Sequence, residues 1–385
     1  MRGNPAPNLR LSVDPPLMPL TGLRGIAALW VMLSHCSYFF DGPQTSLWSA
    51  GRWLQLGWTG VLVFFVLSGF LLALPYVESQ QAATRRPDSG AYLVRRVLRV
   101  IPAYWVQFVL LTAVGWWYGG MFALHDLSTL VAHLGMWFNL GLEPVRPLLG
   151  VWWTLPVEFA FYLTLPLLAR MLVLRHGALW ILCVGLLVSL AQHALVWGLP
   201  WQERGSVVTQ FPGYLVLFTM GVSAAWYRKP VQRYLADHPG SSLRWLAGAL
   251  LLLLGLLALI PLEDGGRDFW EQPLMYYLWK PAVGVAIVVL LLTLLDPANP
   301  LAALLCSRIA VHFGDISYSL YLWHLPIILA ITGSPAIFGV GAGWHWVVAI
   351  ACTWLVAAAS ARWVERPGIR LGRALAARIR SSAAT

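Results

Sequence analysis

The feature that most constrains this chain is a series of ten apolar segments. A membrane-spanning helix needs about 20 mostly apolar residues, and each of these segments is long enough to cross a bilayer. Charged residues make up only 11% of the 385-residue chain, which is about half the share in a typical soluble domain. We therefore predict an all-α polytopic membrane protein with about ten transmembrane helices. The segments are 20–40, 57–76, 100–119, 150–172, 178–199, 209–227, 244–262, 274–295, 310–333 and 343–364.

An eleventh apolar segment, 127–142, is shorter and contains His133 and Asn139. If this segment does not cross and the N-terminus is cytoplasmic, 20 of the 26 lysines and arginines lie on the cytoplasmic side and four on the other. That distribution satisfies the positive-inside rule. If segment 127–142 crossed the membrane, every later loop would change side and the excess of positive charge on the cytoplasmic side would largely cancel. We predict that both termini are cytoplasmic and that 127–142 is a re-entrant or interfacial helix. Topology then explains the net charge of +10, and we expect no nucleic-acid partner.

The chain divides into three predicted regions. Residues 1–16 are polar and Pro-rich, without the apolar run of a signal peptide, and are expected to remain as a cytoplasmic tail. Residues 17–368 form the transmembrane domain, and 369–385 form a basic cytoplasmic tail. The four cysteines have no metal-ligand spacing, so we expect neither a disulfide nor a metal site.

Two ionisable residues in the first apolar segment indicate a functional site. Arg24 and His35 are eleven residues apart, which is three helical turns plus about 20°, so they share a face and are separated by about 16 Å along the axis. Ionisable residues inside a membrane usually face a functional cavity. Structural explanations remain open for each: Arg24 could extend to the membrane surface, and His35 could bond a backbone carbonyl.

The arginine–ten residues–histidine spacing resembles a motif of the membrane-bound acyltransferase-3 family, and the resemblance extends from about residue 17 to 368. Five further motifs that resemble the family's follow in order: "GWTGVLVFFVLSGFLL" (57–72), "RRVLRVIPAYW" (95–105), "VWWTLPVEFAFYL" (151–163), "DISYSLYLWHLP" (315–326) and "WVERP" (363–367). Members transfer acyl groups from acyl-CoA to hydroxyls of sugars, surface glycans, lipids or small molecules. Some carry an additional extracytoplasmic hydrolase-like domain, which we expect this chain to lack.

The resemblance implies that cytoplasmic arginines bind the phosphates of acyl-CoA. Arg24, Arg96 and Arg99 are the candidates, because a guanidinium group binds phosphate in a bidentate fork. The flexible arm of the donor is roughly 15–20 Å long, so its thioester could reach the depth of His35. Basic residues at these positions could instead serve only topology. We expect Glu365 to form a salt bridge with Arg96 or Arg99.

Acyl transfer to a hydroxyl needs a base that removes the acceptor's proton. Neutral histidine is suited to this near pH 7, and His35 is the predicted general base. Glu158 is the second predicted catalytic residue, because its helix places it at a depth close to that of His35. A structural hydrogen bond between helices is the alternative for Glu158.

The ninth apolar segment carries a polar stripe at helical spacing, formed by Ser317, Tyr321 and His324. Ser317 and His324 are about 10 Å apart along one helix, too far for a nucleophile and its base. We interpret the stripe as cavity lining or interhelical bonding, and we predict that Trp153 and Tyr162 line the same cavity.

The leading hypothesis is an O-acyltransferase of the inner (plasma) membrane that uses acyl-CoA, with acetyl-CoA expected, as a co-substrate. It needs no tightly bound cofactor, and its acceptor is a hydroxyl of a sugar, glycan, lipid or small molecule. A transporter or flippase of a lipid-linked or glycan substrate is the alternative, although the sequence has no inverted repeat or paired broken helices. A non-catalytic membrane partner of a glycan-assembly complex is a third hypothesis.

Overall fold

A computed structural model describes residues 17–118, 122, 124, 126–141, 144–200, 204, 207–262, 272–333 and 342–382. All regular structure in these residues is helical. The helices are α1 (Met18–Asp41), α2 (Ala50–Gln55), α3 (Gly60–Gln81), α4 (Ser89–Tyr118), α5 (Leu127–Gly135), α6 (Thr154–Leu168), α7 (Gly177–Trp197), α8 (Phe211–Asp237), α9 (Ser241–Ala258), α10 (Pro273–Thr293), α11 (Pro300–Leu305), α12 (Arg308–Asp315), α13 (Ser317–Gly333), α14 (Ala342–Ser360) and α15 (Arg366–Ser382).

The prediction of an all-α polytopic membrane protein is confirmed. Within the described residues, seven helical stretches are long and apolar enough to span a membrane, or eight if the bent pair α12–α13 counts as one span. Two of the ten predicted segments fall short of that test. Helix α8 carries Arg228, Lys229 and Pro230 in its second half, and Tyr277–Thr293 of α10 is a shorter apolar helix of 17 residues. The total of ten spans and the cytoplasmic location of both termini remain predictions.

The short apolar segment 127–142 contains only the nine-residue helix α5. A helix of this length extends about 14 Å, less than half the thickness of the hydrocarbon core. Asp126 caps its first turn through the backbone amide of Thr129, and Met136 ends it in the left-handed conformation. Fully buried His133 anchors the segment, because its Nδ1 donates to the Thr129 carbonyl and its Nε2 accepts from the Leu148 amide. These contacts favour a re-entrant or interfacial helix.

The ninth predicted segment, 310–333, is not one straight span. Helix α12 begins after Ser307, whose hydroxyl accepts from the Ala310 amide, and it ends before Ile316. Helix α13 then departs at 74° to α12. The chain therefore turns sharply beside Ser317, at the start of the polar stripe.

Helix α3 is largely buried within the bundle, and it packs most extensively against α8. The two backbones approach so closely at Gly69 and Gly221 that a Cβ on either glycine would collide with the opposite backbone, at Phe218 and Val66 respectively. Small residues at such crossings let membrane helices pack through backbone contact. This contact fixes the rotation of α3, and with it the direction of the polar residues that α3 carries.

We expect Gly69→Ala to lower the free energy of unfolding by about 1–3 kcal/mol, because the added methyl group forces α3 and α8 apart. Thermal unfolding of the purified protein in detergent measures the effect. Gly248→Ala is the matched control, since a Cβ there meets open space on exposed α9. An unchanged melting temperature for Gly69→Ala would contradict the close packing of α3 on α8.

The last predicted segment continues as helix well beyond residue 364. A π-helical turn, Ala361–Glu365, joins α14 to α15, and α15 reaches Ser382. Helix α15 packs along the first turns of α4, with Gly368 against the carbonyl of Leu98. The basic residues of the predicted tail are therefore held beside the helix that carries Arg96 and Arg99. Residues 1–16, the predicted N-terminal tail, lie outside the described residues.

Candidate functional site

Five helices, α1, α3, α4, α6 and α13, enclose a cavity of about 250 Å³ that we call the arginine cavity. Its apolar wall comes mainly from α3. Its polar lining consists of Arg24, Ser68, Arg96, Arg99, Thr154, Glu158, Tyr162, Ser317, Tyr318 and Tyr321. Three guanidinium groups thus face one carboxylate, and the cavity carries an excess of positive charge.

Arg24 is held at the sharp turn between α12 and α13. Its Nη2 donates to the Ser317 hydroxyl at 2.8 Å and to the Gly314 carbonyl at 3.4 Å, and its Nε also donates to Ser317 at 3.1 Å. The Ser317 hydroxyl in turn donates to the Gly314 carbonyl at 2.8 Å. Arg24 therefore joins α1 to the turn, which fixes its guanidinium at the cavity wall.

Arg96 and Arg99 lie one turn apart on α4, and both are half-buried. The Arg96 guanidinium lies 5.9 Å from the ring centroid of Tyr92, and its Nε is buried without a hydrogen-bond partner among the described residues. In the described part of the chain, neither arginine has a carboxylate within the 4.0 Å of an ion pair. Their positive charges are thus available to an anionic ligand.

Glu158 lies among the arginines and not beside His35. Its Oε1 accepts a hydrogen bond of 3.0 Å from the Ser68 hydroxyl, and it lines the arginine cavity. The structure shows no hydrogen bond from Glu158 to His35 within the described residues. The matched depths of the two residues did not bring them together, because α6 turns Glu158 toward α3 and α4. Its catalytic role remains a prediction.

Glu365 does not form the salt bridge that we expected with Arg96 or Arg99. Its side chain is buried, and its Oε2 accepts a hydrogen bond of 3.0 Å from the hydroxyl of Ser319. The π-helical turn that ends at Glu365 directs this carboxylate toward α13. The contact joins the last membrane helix to the helix that carries the polar stripe.

A second cavity, of about 390 Å³, contains His35 and is called the histidine cavity. Aromatic rings dominate its wall, and Ser34 and Gln55 add polar groups. Its full lining is Val31, Ser34, His35, Tyr38, Phe39, Gln55, Trp58, Val61, Gly150, Val151, Trp153, Tyr321 and Leu325. Trp153 thus lines this cavity, whereas Tyr162 lines the arginine cavity.

The orientation of His35 leaves one ring nitrogen free for chemistry. Its Nδ1 lies 2.9 Å from the backbone carbonyl of Val31, one turn earlier on α1. A carbonyl only accepts, so Nδ1 carries the hydrogen of the neutral ring and Nε2 holds the lone pair. No described residue forms a hydrogen bond to Nε2. A neutral imidazole held this way can take a proton from a hydroxyl in the cavity.

The two cavities meet at Val61 and Tyr321, which line both. The Tyr321 hydroxyl donates to the Val151 carbonyl at 2.7 Å and accepts from the Thr154 hydroxyl at 3.0 Å. Its ring is therefore held firmly between the cavities. The cationic site and the histidine site share this part of their lining, which we call the shared wall.

Of the predicted stripe, Ser317 lines the arginine cavity, Tyr321 lines both cavities, and His324 is fully buried beside His35. Sequence reasoning assigned no role to Val61 or Ser68. Both belong to the apolar motif 57–72, and an apolar residue such as Val61 has no feature that marks it as part of a site. Gly69, which follows Ser68 within helix α3, is the available signal, because a glycine there indicates close helix packing.

A family model described as an acyltransferase domain, Acyl_transf_3, matches residues 20–362. Nodulation protein 10 of Rhizobium leguminosarum bv. viciae is 29% identical to this chain over 92% of the chain and 94% of its own length. The peptidoglycan O-acetyltransferase OatA of Listeria monocytogenes and the O-acetyltransferase OatA of Staphylococcus aureus are each 24% identical over 90% of the chain. The chain spans only about half the length of these two OatA proteins, 55% and 56%.

No solved structure matches the chain. The family match covers most of the membrane domain and includes every residue that lines either cavity. The chain therefore belongs to the acyltransferase-3 family of membrane O-acyltransferases.

Proposed function

We propose that this protein moves an acyl group, with acetyl expected, from acyl-CoA to a hydroxyl of a sugar, glycan, lipid or small molecule. The acyl donor binds with its phosphates in the arginine cavity. The acceptor hydroxyl binds in the histidine cavity, where His35 removes its proton. The observation that carries this proposal is that Val61 and Tyr321 line both cavities. The cationic arginine cavity therefore adjoins the cavity that contains the free Nε2 atom of His35.

The donor side is supported by charge and length. Arg96 and Arg99 have no ion-pair partner among the described residues, and guanidinium groups bind phosphate oxygens through short charged hydrogen bonds. Arg24 and His35 are about 16 Å apart along α1, and the arm of acyl-CoA is roughly 15–20 Å long. A donor anchored at the arginines can therefore present its thioester at the shared wall. The cavity accommodates only part of such a donor, so the remainder lies outside it.

The acceptor side is supported by the chemistry of the histidine cavity. The acceptor's oxygen attacks the acyl carbon while its proton moves to His35 Nε2, and the departing thiolate then takes that proton. Because Nδ1 is fixed to Val31, the imidazole presents the correct tautomer for this step without rearrangement. The OatA relatives are named as O-acetyltransferases, and one of them is named for peptidoglycan. A surface glycan is accordingly a reasonable first acceptor to test.

Thioester turnover by the purified protein tests the proposal. With acetyl-CoA as donor and a cell-envelope extract of the source organism as acceptor, the wild type should release free CoA thiol and form acetyl esters. Val61→Trp keeps all three arginines of the donor site but should transfer little, because the larger side chain would fill the space where the two cavities adjoin. Val109→Trp is the matched control, since Val109 is 57% exposed on the outer face of α4.

Full transfer by Val61→Trp would contradict the route between the cavities. Absence of thioester turnover in the wild type, together with energy-dependent movement of a lipid or glycan across vesicle membranes, would favour the transporter hypothesis.

The proposed O-acyltransferase is expected in the inner membrane, so the tagged protein should be found in the inner membrane fraction.

A further inference from the structure

A second histidine lies directly behind His35. His324 on α13 is fully buried, and its ring centroid is 5.0 Å from that of His35, with an angle of 57° between the ring planes. Its ring also lies 5.6 Å from that of Tyr321, which forms the wall between the cavities. His324 is thus packed against the two residues that define the transfer site.

The two histidines are held in the same way. His324 Nδ1 lies 3.3 Å from the Leu320 carbonyl, one turn earlier on its helix, as His35 Nδ1 lies 2.9 Å from that of Val31. In both neutral rings the hydrogen is therefore on Nδ1, and both Nε2 atoms carry lone pairs. Two acceptor nitrogens therefore lie on rings whose centroids are 5.0 Å apart, and neither can donate a hydrogen bond to the other while both rings are neutral.

The Nε2 atom of His324 is buried and has no hydrogen-bond partner in the part of the chain that the structure describes. Leaving a buried acceptor unpaired is unfavourable, and native structures rarely do so without a reason. This fold can satisfy such a nitrogen elsewhere: His133 has the same Nδ1 contact, and its Nε2 accepts from the Leu148 amide at 3.1 Å. The open lone pair occurs at the histidine that lies against His35.

We propose that His324 is a positioning residue for acyl transfer, whose Nε2 accepts a hydrogen bond from His35 after His35 has been protonated. The proposal rests on the proposed function, in which His35 is the base. When the acceptor's O–H bond breaks, an N–H bond forms at His35 Nε2 and the ring becomes a cation. His324 stabilises this cation while the acyl carbon exchanges its bond to sulfur for a bond to the acceptor oxygen. The proton then passes from His35 to the thiolate, so His324 neither gains nor loses a proton.

The separation of the rings permits this contact. With ring centroids 5.0 Å apart, nitrogens on facing edges of the two rings come within hydrogen-bonding reach. With His35 Nδ1 still bonded to Val31, the hydrogen on Nε2 can be shared between the reacting group and His324, directly or through one bridging water. In the ground state the lone pair on His324 Nε2 has no hydrogen-bond partner among the described residues. In the charged intermediate it accepts the hydrogen bond from His35. Such an interaction favours the transition state over the ground state, which is the requirement for an effect on kcat.

His324→Phe and His324→Gln test the proposal in the purified protein, with acetyl-CoA and the acceptor extract. His324→Phe should lower kcat about 10- to 100-fold, the range expected for a lost hydrogen bond to a charged group. The KM for acetyl-CoA should not change. The melting temperature should be equal or higher, since the unpaired buried nitrogen is removed. His324→Gln should recover part of the rate, because its amide oxygen can accept.

A double variant separates positioning from an independent role. His35→Ala/His324→Phe should be no slower than His35→Ala alone, because His324 acts only through His35. His312→Phe is the matched control: His312 is exposed on α12, where its Nε2 accepts from the Trp354 indole, and it lines neither cavity. If His324→Phe does not accumulate, His324→Leu takes its place.

An unchanged kcat in His324→Phe, a loss that follows a fall in melting temperature, or additive losses in the double variant would each overturn the proposal. Full activity of His35→Ala would overturn the general-base assignment and this proposal with it. If transfer depends on His35 but not on His324, only the role proposed for His324 is overturned and the general-base assignment stands.

Discussion

His35→Ala is expected to reduce acyl transfer about 10²- to 10⁴-fold, the contribution typical of a positioned general base. The physical reason is the free Nε2 lone pair, which the Nδ1 contact to Val31 holds available in the histidine cavity. CoA binding should persist, because the arginines that would hold its phosphates line the other cavity. Transfer rate and CoA affinity, measured separately on the purified variant, check both parts.

The pH–rate profile gives an independent test of the same residue. A base must be unprotonated to act, so transfer by the wild type should rise with pH as His35 loses its proton. That ascending limb should disappear in His35→Ala. His312→Gln, a change at an exposed histidine outside both cavities, should keep the limb. Unimpaired transfer by a well-folded His35→Ala protein would refute the mechanism.

Arg96→Ala and Arg99→Ala are each expected to weaken acyl-CoA binding by about 1–3 kcal/mol, or roughly 5- to 150-fold in Kd. Each change removes a guanidinium that has no ion-pair partner among the described residues and lines the arginine cavity. Arg99→Lys should recover only part of the affinity, because lysine keeps the charge but loses the bidentate fork. Calorimetric titration of the purified variants with CoA measures these differences.

Arg85→Ala provides the charge-matched control, since Arg85 is exposed in the segment between α3 and α4 and lies outside the cavity. It should bind CoA like the wild type. If Arg96→Ala and Arg99→Ala also bind CoA normally, these arginines serve topology and the donor site lies elsewhere. Thioester turnover by the wild type would then distinguish a misplaced donor site from an incorrect reaction.

Hydropathy and helical periodicity are local properties, and they predicted much of this molecule. Each of the ten apolar segments contains a helix, and the short segment 127–142 contains one too short to cross. The eleven-residue spacing placed Arg24 and His35 on one face of α1. Such features follow from a single helix and its solvent, so no knowledge of neighbouring helices was needed.

The partners of the buried polar residues could not be predicted in the same way. Depth along the membrane suggested Glu158 for His35 and an arginine for Glu365, but the structure pairs Glu158 with Ser68 and Glu365 with Ser319. Depth fixes only one coordinate of a side chain. The rotation of each helix about its axis decides which neighbour the side chain meets.

The sequence by itself determined that this protein is a helical membrane protein with two ionisable residues, Arg24 and His35, within its first span. Tertiary structure decided that these residues face two cavities, that Val61 and Tyr321 form their shared wall, and that His324 lies behind His35. The physical reason is that helix rotation depends on backbone contacts between distant segments, such as Gly69 with Phe218. Those contacts bring together residues whose separation along the chain hides any relation between them.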